Sequence, residues 1–222
     1  LNHWLKDIEQ RFRASANSDN ASEMAKYMKG IAPFFGIKSA DRRSIQKEWF
    51  KTLHPLERTE FWTLIHSLWE KNEREFQYLA VDLLNMQPKK KYHPEDSQEL
   101  ERLITTKSWW DTVDLLASNY LGKYLMIFPD EGKVLIEKWR HSDNLWLKRS
   151  CLIFQLKYGK KTDVDLLKSL ILQFYLMNEF FIQKAIGWSL RQLSKSDVES
   201  VRKILSDIPL KGIALREAHK YL

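Results

Sequence analysis

The chain has 222 residues, 44% of them apolar, with only seven glycines and six prolines. That content can bury one substantial core, and so few turn residues disfavour many short strands and favour helices, so an all-α protein is expected. A single cysteine allows no intramolecular disulfide, no apolar run nears the roughly 20 residues that span a bilayer, and the first residues lack a signal-peptide layout; the expectation is a cytoplasmic protein in a reducing setting.

The apolar residues Leu1, Leu5, Ile8 and Phe12 recur at three- and four-residue steps and predict a first helix to Ala14. A polar break at 15–20 precedes a short helix over about 21–30 that carries Met24, Lys26, Tyr27, Met28 and Lys29, with Gly30 as its stop. Ser39 is placed as the cap of a third helix through Arg42, Arg43 and Trp49. Pro55 is placed in the first turn of a helix over 56–71, and another follows over 73–86. The run from Pro88 to Pro94, with Lys89, Lys90 and Lys91, reads as a basic loop. Helices are then expected over 95–105, 109–128, 130–141, 143–158, 163–176, 179–194, 197–206 and 211–221, the third of them after a break at Pro129.

A repeat runs through this series. Phe76, Trp110, Trp146 and Phe181 stand near the starts of alternate helices, at separations of 34, 36 and 35 residues. A two-helix unit of that length is the pattern of a HEAT-like solenoid, with residues 1–222 taken as one domain. Four residues after each aromatic come Ala80, Asp114, Ser150 and Ala185, so one repeat carries a carboxylate where the others carry a small residue.

That aspartate closes the run Ser108-Trp109-Trp110-Asp111-Thr112-Val113-Asp114. Ser108 and Asp111 suit the capped, electropositive start of a helix, and Trp109 suits a core. Trp110 and Asp114 are four apart and share a helix face, which sets an aromatic surface beside a carboxylate. Spacing alone leaves Asp114 open between service to the helix dipole and chemistry. It also leaves Trp110, Trp146 and Trp188 open between core packing and a site.

Charge adds a second pointer. The formal net charge is +7, and between Arg140 and Arg191 nine Lys/Arg face four Asp/Glu. Such a surface suits a polyanion, or is a solvated helix face with a lysine excess. Lys148 and Arg149 follow Trp146, and Arg191 follows Trp188 by three; arginines beside aromatics suit a sugar-phosphate backbone. The six histidines have no pair at helix-face spacing and no cysteine companions, and neither a glycine-rich phosphate loop nor a nucleophile elbow is present, so neither a metal nor a cofactor is expected.

Three segments in order, 108–114, Asp143-Asn144-Leu145-Trp146-Leu147-Lys148-Arg149 and 179–191, closely resemble the AlkD family of DNA alkylation repair glycosylases. The resemblance covers nearly the whole chain, including the 24–29 helix and the Gly36-Ile37 to Arg42-Arg43 segment, and thins toward the C-terminus. It implies a right-handed α-α superhelix of HEAT-like repeats with a concave face for double-stranded DNA. It also implies hydrolysis of the N-glycosidic bond of cationic alkylpurines such as 3-methyladenine and 7-methylguanine, with the damaged base left stacked.

Carried over by position, Asp114 matches the catalytic carboxylate and Trp110 and Trp188 the aromatics flanking the lesion's sugar. Arg149 and Arg191 match arginines that grip the backbone, with Lys148 beside them, and Tyr27, Lys29 and Arg43 fall in the implied DNA-contacting segments. Ala40 departs from a proline of relatives in the loop before Arg42-Arg43. A solenoid that clamps DNA can act as a monomer. Two alternatives stay open from the residues: a solenoid that binds DNA structures without catalysis, and a protein-binding HEAT scaffold.

Overall fold

A computed structural model describes residues 1–222, and every regular element in it is helical. The chain falls into two compact units, Leu1–Lys91 and Tyr92–Leu222, where the sequence was treated as one domain.

The first unit holds α1 (Asn2–Ala14), α2 (Ser18–Tyr27), α3 (Ser39–Phe50), α4 (Arg58–Glu70) and α5 (Arg74–Asn85), followed by a 3-10 turn over Lys89–Lys91. Helix α1 buries Trp4, Ile8 and Phe12 in place of the Leu1 and Leu5 stripe, because Trp4 is locked in both directions. Its indole donates to the Thr52 carbonyl at 3.2 Å, and Trp49 donates to the Trp4 carbonyl at 3.0 Å. Phe12, Phe35 and Phe76 form a ring cluster with centroids 5.4–5.9 Å apart.

Two start signals fall elsewhere than predicted. Helix α4 begins at Arg58 behind a capping box of Glu57 and Glu60, so Pro55 lies upstream of its first turn. Lys38, not Ser39, occupies the N-cap of α3, and no side chain caps it.

The second unit holds α6 (Asp96–Thr105), α7 (Trp110–Leu115), α8 (Gly122–Ile127), α9 (Pro129–Arg140), α10 (Leu145–Ile153), α11 (Val164–Phe174), α12 (Phe180–Leu193), α13 (Val198–Asp207) and α14 (Gly212–Ala218). Helices α7, α10, α12 and α14 contact one another in chain order, the stacking of second helices that defines a helical repeat protein. The all-α helical-repeat class expected from the sequence is the class observed.

The predicted continuous helix over 109–128 is interrupted. Leu116–Leu121 is π-helical and joins α7 to α8. Ser118 and Asn119 donate side-chain bonds to the carbonyls of Asp114 and Leu115 at 2.7 and 2.9 Å, competing with the ordinary ladder at that turn. A Cβ at Gly122 would lie 2.7 Å from the Phe154 carbonyl oxygen, so only glycine lets α8 approach the end of α10. Cys151 is buried, and burial pushes its thiol pKa up.

Candidate active site

Asp114 lies at the last turn of α7, immediately before the π segment, a kind of irregularity that often marks functional positions. Opposite it, Asn144 caps α10 by accepting from the Trp146 and Leu147 amides at 2.9 and 3.2 Å, which fixes the turn that carries Arg149. Arg149 meets Asp114 in a fork: Nε donates to Oδ1 and Nη2 to Oδ2, both at 2.7 Å. The third arm, Nη1, donates to the Phe181 carbonyl of α12. One guanidinium therefore ties three successive second helices together.

Both partners are largely withdrawn from water, with side chains 5% exposed for Arg149 and 13% for Asp114. Burial pushes the Asp114 pKa up; Arg149 pulls against it through its hydrogen bonds and charge, and Asp111 adds a small push upward. The net direction is upward from the usual carboxylate value. The neighbours differ from Asp114 as the repeat anticipated: Ala80, Ser150 and Ala185 are fully buried, and the aspartate alone reaches the surface.

Aromatic rings flank the pair. Trp109 meets Phe181 at 5.2 Å and Trp146 at 5.7 Å, and Trp146 meets Phe181 at 5.0 Å. The Arg149 guanidinium lies 5.8 Å from the Phe181 ring centre. Trp109, read as ordinary core, is thus the ring that binds its own repeat to the next two. Ser108 does not cap α7: Trp109 holds the N-cap, and the Ser108 hydroxyl donates to the Ile104 carbonyl at 2.6 Å, closing the helix before.

The remaining predicted residues are spread over three helices of the second unit and the α2–α3 region of the first. Trp110 is the first residue of α7, one turn before Asp114 and half-buried. On α12, Phe181, Lys184, Trp188 and Arg191 follow at three- and four-residue steps and are all half-buried, so they share one stripe. Ile182, Ala185, Ile186, Ser189 and Leu190 are buried on the other side. Arg191 is engaged with the Glu217 carboxylate. Lys148 is half-buried on α10.

In the first unit Tyr27 ends α2 with 71% of its surface exposed, and Arg43 is exposed on α3. Its neighbour Arg42 is instead buried and pairs with Asp82 at 2.9 Å. Helix α2 ends at Tyr27, two residues short of the predicted Lys29. Lys29 sits at φ +59° and Gly30 at φ +72°, with the Gly30 amide donating to the Ala25 carbonyl at 2.8 Å. A lysine in that left-handed position, where glycine is usual, is mildly strained.

Sequence reasoning missed two organising carboxylates. Glu75, buried on α5, accepts from the amides of Phe35, Gly36 and Ile37 at 3.1, 2.9 and 3.2 Å. Gly36, at φ +83°, would place a Cβ 2.0 Å from the Asn17 carbonyl oxygen, so the loop exists only with glycine there. Glu217 on α14 is the other. The partners of Glu75 lie 38 to 40 residues away in the chain, and of those of Glu217 only Lys220 is local, with Arg191 and Lys184 26 and 33 residues away. No group of three or more His, Cys, Asp or Glu side chains is placed to hold a metal ion. No helix is long and apolar enough to cross a membrane.

The fold defines a helical repeat protein in which an aspartate of one second helix is held by an arginine of the next. A family model described as DNA alkylation repair enzyme matches residues 8–222, and the chain belongs to that family. Among solved structures, a predicted DNA alkylation repair enzyme from Enterococcus faecalis is 34% identical, with a TM-score of 0.86 over 94% of this chain and 97% of that one. None of the curated proteins compared with the chain matches it.

Proposed function

We propose that the protein is a DNA glycosylase that hydrolyses the N-glycosidic bond of cationic alkylpurines, such as 3-methyladenine and 7-methylguanine, in duplex DNA. The observation that supports this most is the Asp114 carboxylate, held in a fixed orientation by the Arg149 fork and largely withdrawn from water. An alkylated purine already carries positive charge, so its departure needs no general acid. As the bond from C1′ to the base nitrogen breaks, the electron pair goes to the purine ring and neutralises it, leaving an oxocarbenium-like sugar.

Asp114 supplies negative charge to that sugar from a poorly hydrated position, where electrostatic stabilisation is strong. Arg149 takes one lone pair on each carboxylate oxygen, and the other lone pairs stay available to orient water toward C1′. Water adds to C1′ and its proton passes to Asp114 or solvent. Trp110 and Trp188 offer electron-rich ring faces to the cationic sugar. Arg191, Lys148, Tyr27, Lys29 and Arg43 would contact the backbone, and the base would stay in the stack. Arg149 takes a positioning role beside any phosphate contact, since three of its donor groups are already committed.

The test compares base release from duplex containing 7-methylguanine by the wild-type protein and Asp114→Asn. Loss of one stabilising charge of this kind costs on the order of 10²–10³ in rate. Release by the wild type no faster than spontaneous loss removes the enzyme role, and equal rates for both proteins remove Asp114 from it. A second possibility, DNA binding without catalysis, is favoured by the same fork, because a carboxylate matched by a buried arginine can be purely structural.

A further inference from the structure

Glu217 gathers more positive charge than it can balance. Its carboxylate, 10% exposed, accepts from Lys184 at 3.2 Å, from Lys220 at 2.9 Å and from Arg191, so three cations surround one anion. Two charges are left unmatched. One cation suffices to satisfy a carboxylate, and each further one within contact distance adds repulsion between like charges. The cluster therefore keeps a net positive charge and favours an anion that arrives from outside.

The fold goes out of its way to build this cluster. Lys184 and Arg191 lie two turns apart on the α12 stripe, with Gly187 between them. A Cβ at Gly187 would fall 2.5 Å from the Glu217 Cβ and 2.8 Å from the Ala214 carbonyl oxygen, so glycine alone lets α14 lie this close. That approach is what allows one carboxylate to reach both cations. Lys220 enters from the 3-10 turn His219–Tyr221 that follows α14. All three cations keep exposed surface, at 40%, 25% and 51% for Lys184, Arg191 and Lys220, so their outer donors remain available. Trp188 stands between Lys184 and Arg191 on the same stripe.

We propose that Lys184, Arg191 and Lys220, gathered on Glu217, form a phosphate-binding patch that takes the backbone of duplex DNA at the α12–α14 edge of the second unit. Glu217 is the positioning residue: it holds the inner donors of the cations so that their outer donors face one way. The patch rests on the DNA-binding half of the proposed function and not on base release.

The experiment is binding of undamaged duplex across a salt series, followed by fluorescence anisotropy, with circular dichroism confirming the fold of each variant. The Lys184→Gln/Lys220→Gln double variant is compared with Lys6→Gln/Lys133→Gln, which removes the same charge from exposed lysines elsewhere. Each phosphate contact contributes about 0.9 to the slope of log K against log salt, so the first pair should lose nearly 2 from the slope and the second pair much less. Equal losses in both pairs overturn the patch, because net charge alone then explains binding.

Glu217→Gln separates position from charge. It adds a positive charge to the protein, so tighter binding of duplex overturns the positioning role and weaker binding supports it. Inorganic phosphate added at constant ionic strength gives the last arm. If it displaces duplex from the wild type but not from the lysine double variant, duplex phosphates and the free anion share the patch; if it binds the wild type without displacing duplex, the site is for small anions and the duplex assignment falls. Base release is measured separately on the wild type: binding without release sinks the glycosylase role and leaves the patch standing, whereas normal release with an unchanged slope in the Lys184/Lys220 variant sinks the patch alone.

Discussion

Asp114 and Glu217 are both carboxylates clamped by cations of the stacked second helices, yet their ionisation is pushed in opposite directions. Asp114 has one partner, and both members are withdrawn from water; burial outweighs the arginine, and the carboxyl pKa rises. Glu217 has three partners with exposed surface, and its pKa is lowered to about 2, by Lys220 above all and then by Lys184 and Arg191 against the opposing effect of burial. The first arrangement keeps a carboxylate in a state of high energy, where its charge acts strongly on whatever comes near. The second keeps a carboxylate permanently ionised so that it can organise cations. Under the proposed function, charge pairing in the same stack serves chemistry at one end and recognition at the other.

The comparison breaks most sharply at Arg149. Arg149→Leu leaves a desolvated carboxylate without its partner, a change that costs about 3–5 kcal/mol in thermal or denaturant unfolding. The Asp114 pKa should rise further, so the acid limb of any base-release profile should move to higher pH. The wild type has its own signature. Its folded pKa lies above the ordinary carboxylate value of 3.8, so the folded state holds this proton more tightly. Ionising Asp114 therefore lowers stability as pH rises through the folded pKa, and Asp114→Asn removes that dependence.

Gly187→Ala comes next. It forces α14 away from α12 and should destabilise the fold by about 1–3 kcal/mol while weakening duplex binding along with the Glu217 cluster. For Glu217 the linkage runs the other way from Asp114. Its pKa is depressed, so its contribution is complete above the ordinary value of 4.5 and disappears as pH falls toward about 2. Acid unfolding of Glu217→Gln should lack that component, and the difference should shrink in high salt because the cations are partly exposed. The smallest effect belongs to Trp109→Phe. The Trp109 indole N–H has no acceptor in the protein, so the substitution should cost only the packing of the trimmed ring against Trp146 and Phe181, without the ~1–3 kcal/mol of a broken buried hydrogen bond, as chemical denaturation would show.

Local pattern was enough to read the helices, because their buried stripes recur at helical spacing, as in α12. It was also enough to single out Asp114, because a repeat makes an exception visible. What apolar periodicity did not record was polar bonding, both within a helix and between residues distant in sequence. Ser108 looked like a cap for α7 because its type and spacing fit, but the carbonyl of Ile104 was closer to hand. The π segment after Asp114 depends on Ser118 and Asn119 bonding back into their own helix, which apolar periodicity does not record. Arg149 was assigned to phosphate because arginine beside tryptophan suits DNA; its fork onto Asp114 joins residues 35 positions apart. Glu75 and Glu217 left no trace at all, since a glutamate on a helix is ordinary until its partners are known.

Glu75 has one more consequence. Helix α2, which ends in the exposed Tyr27, buries none of its own residues. It is attached by polar threads: the Asn17 amide donates to the Phe35 carbonyl at 2.8 Å, and Asn20 donates to the Gly36 carbonyl at 3.2 Å. The loop that receives them hangs in turn on Glu75. The helix is therefore held by polar contacts to one loop that itself hangs on a buried carboxylate of α5, and its amides should be the first of the regular elements to exchange with solvent deuterium.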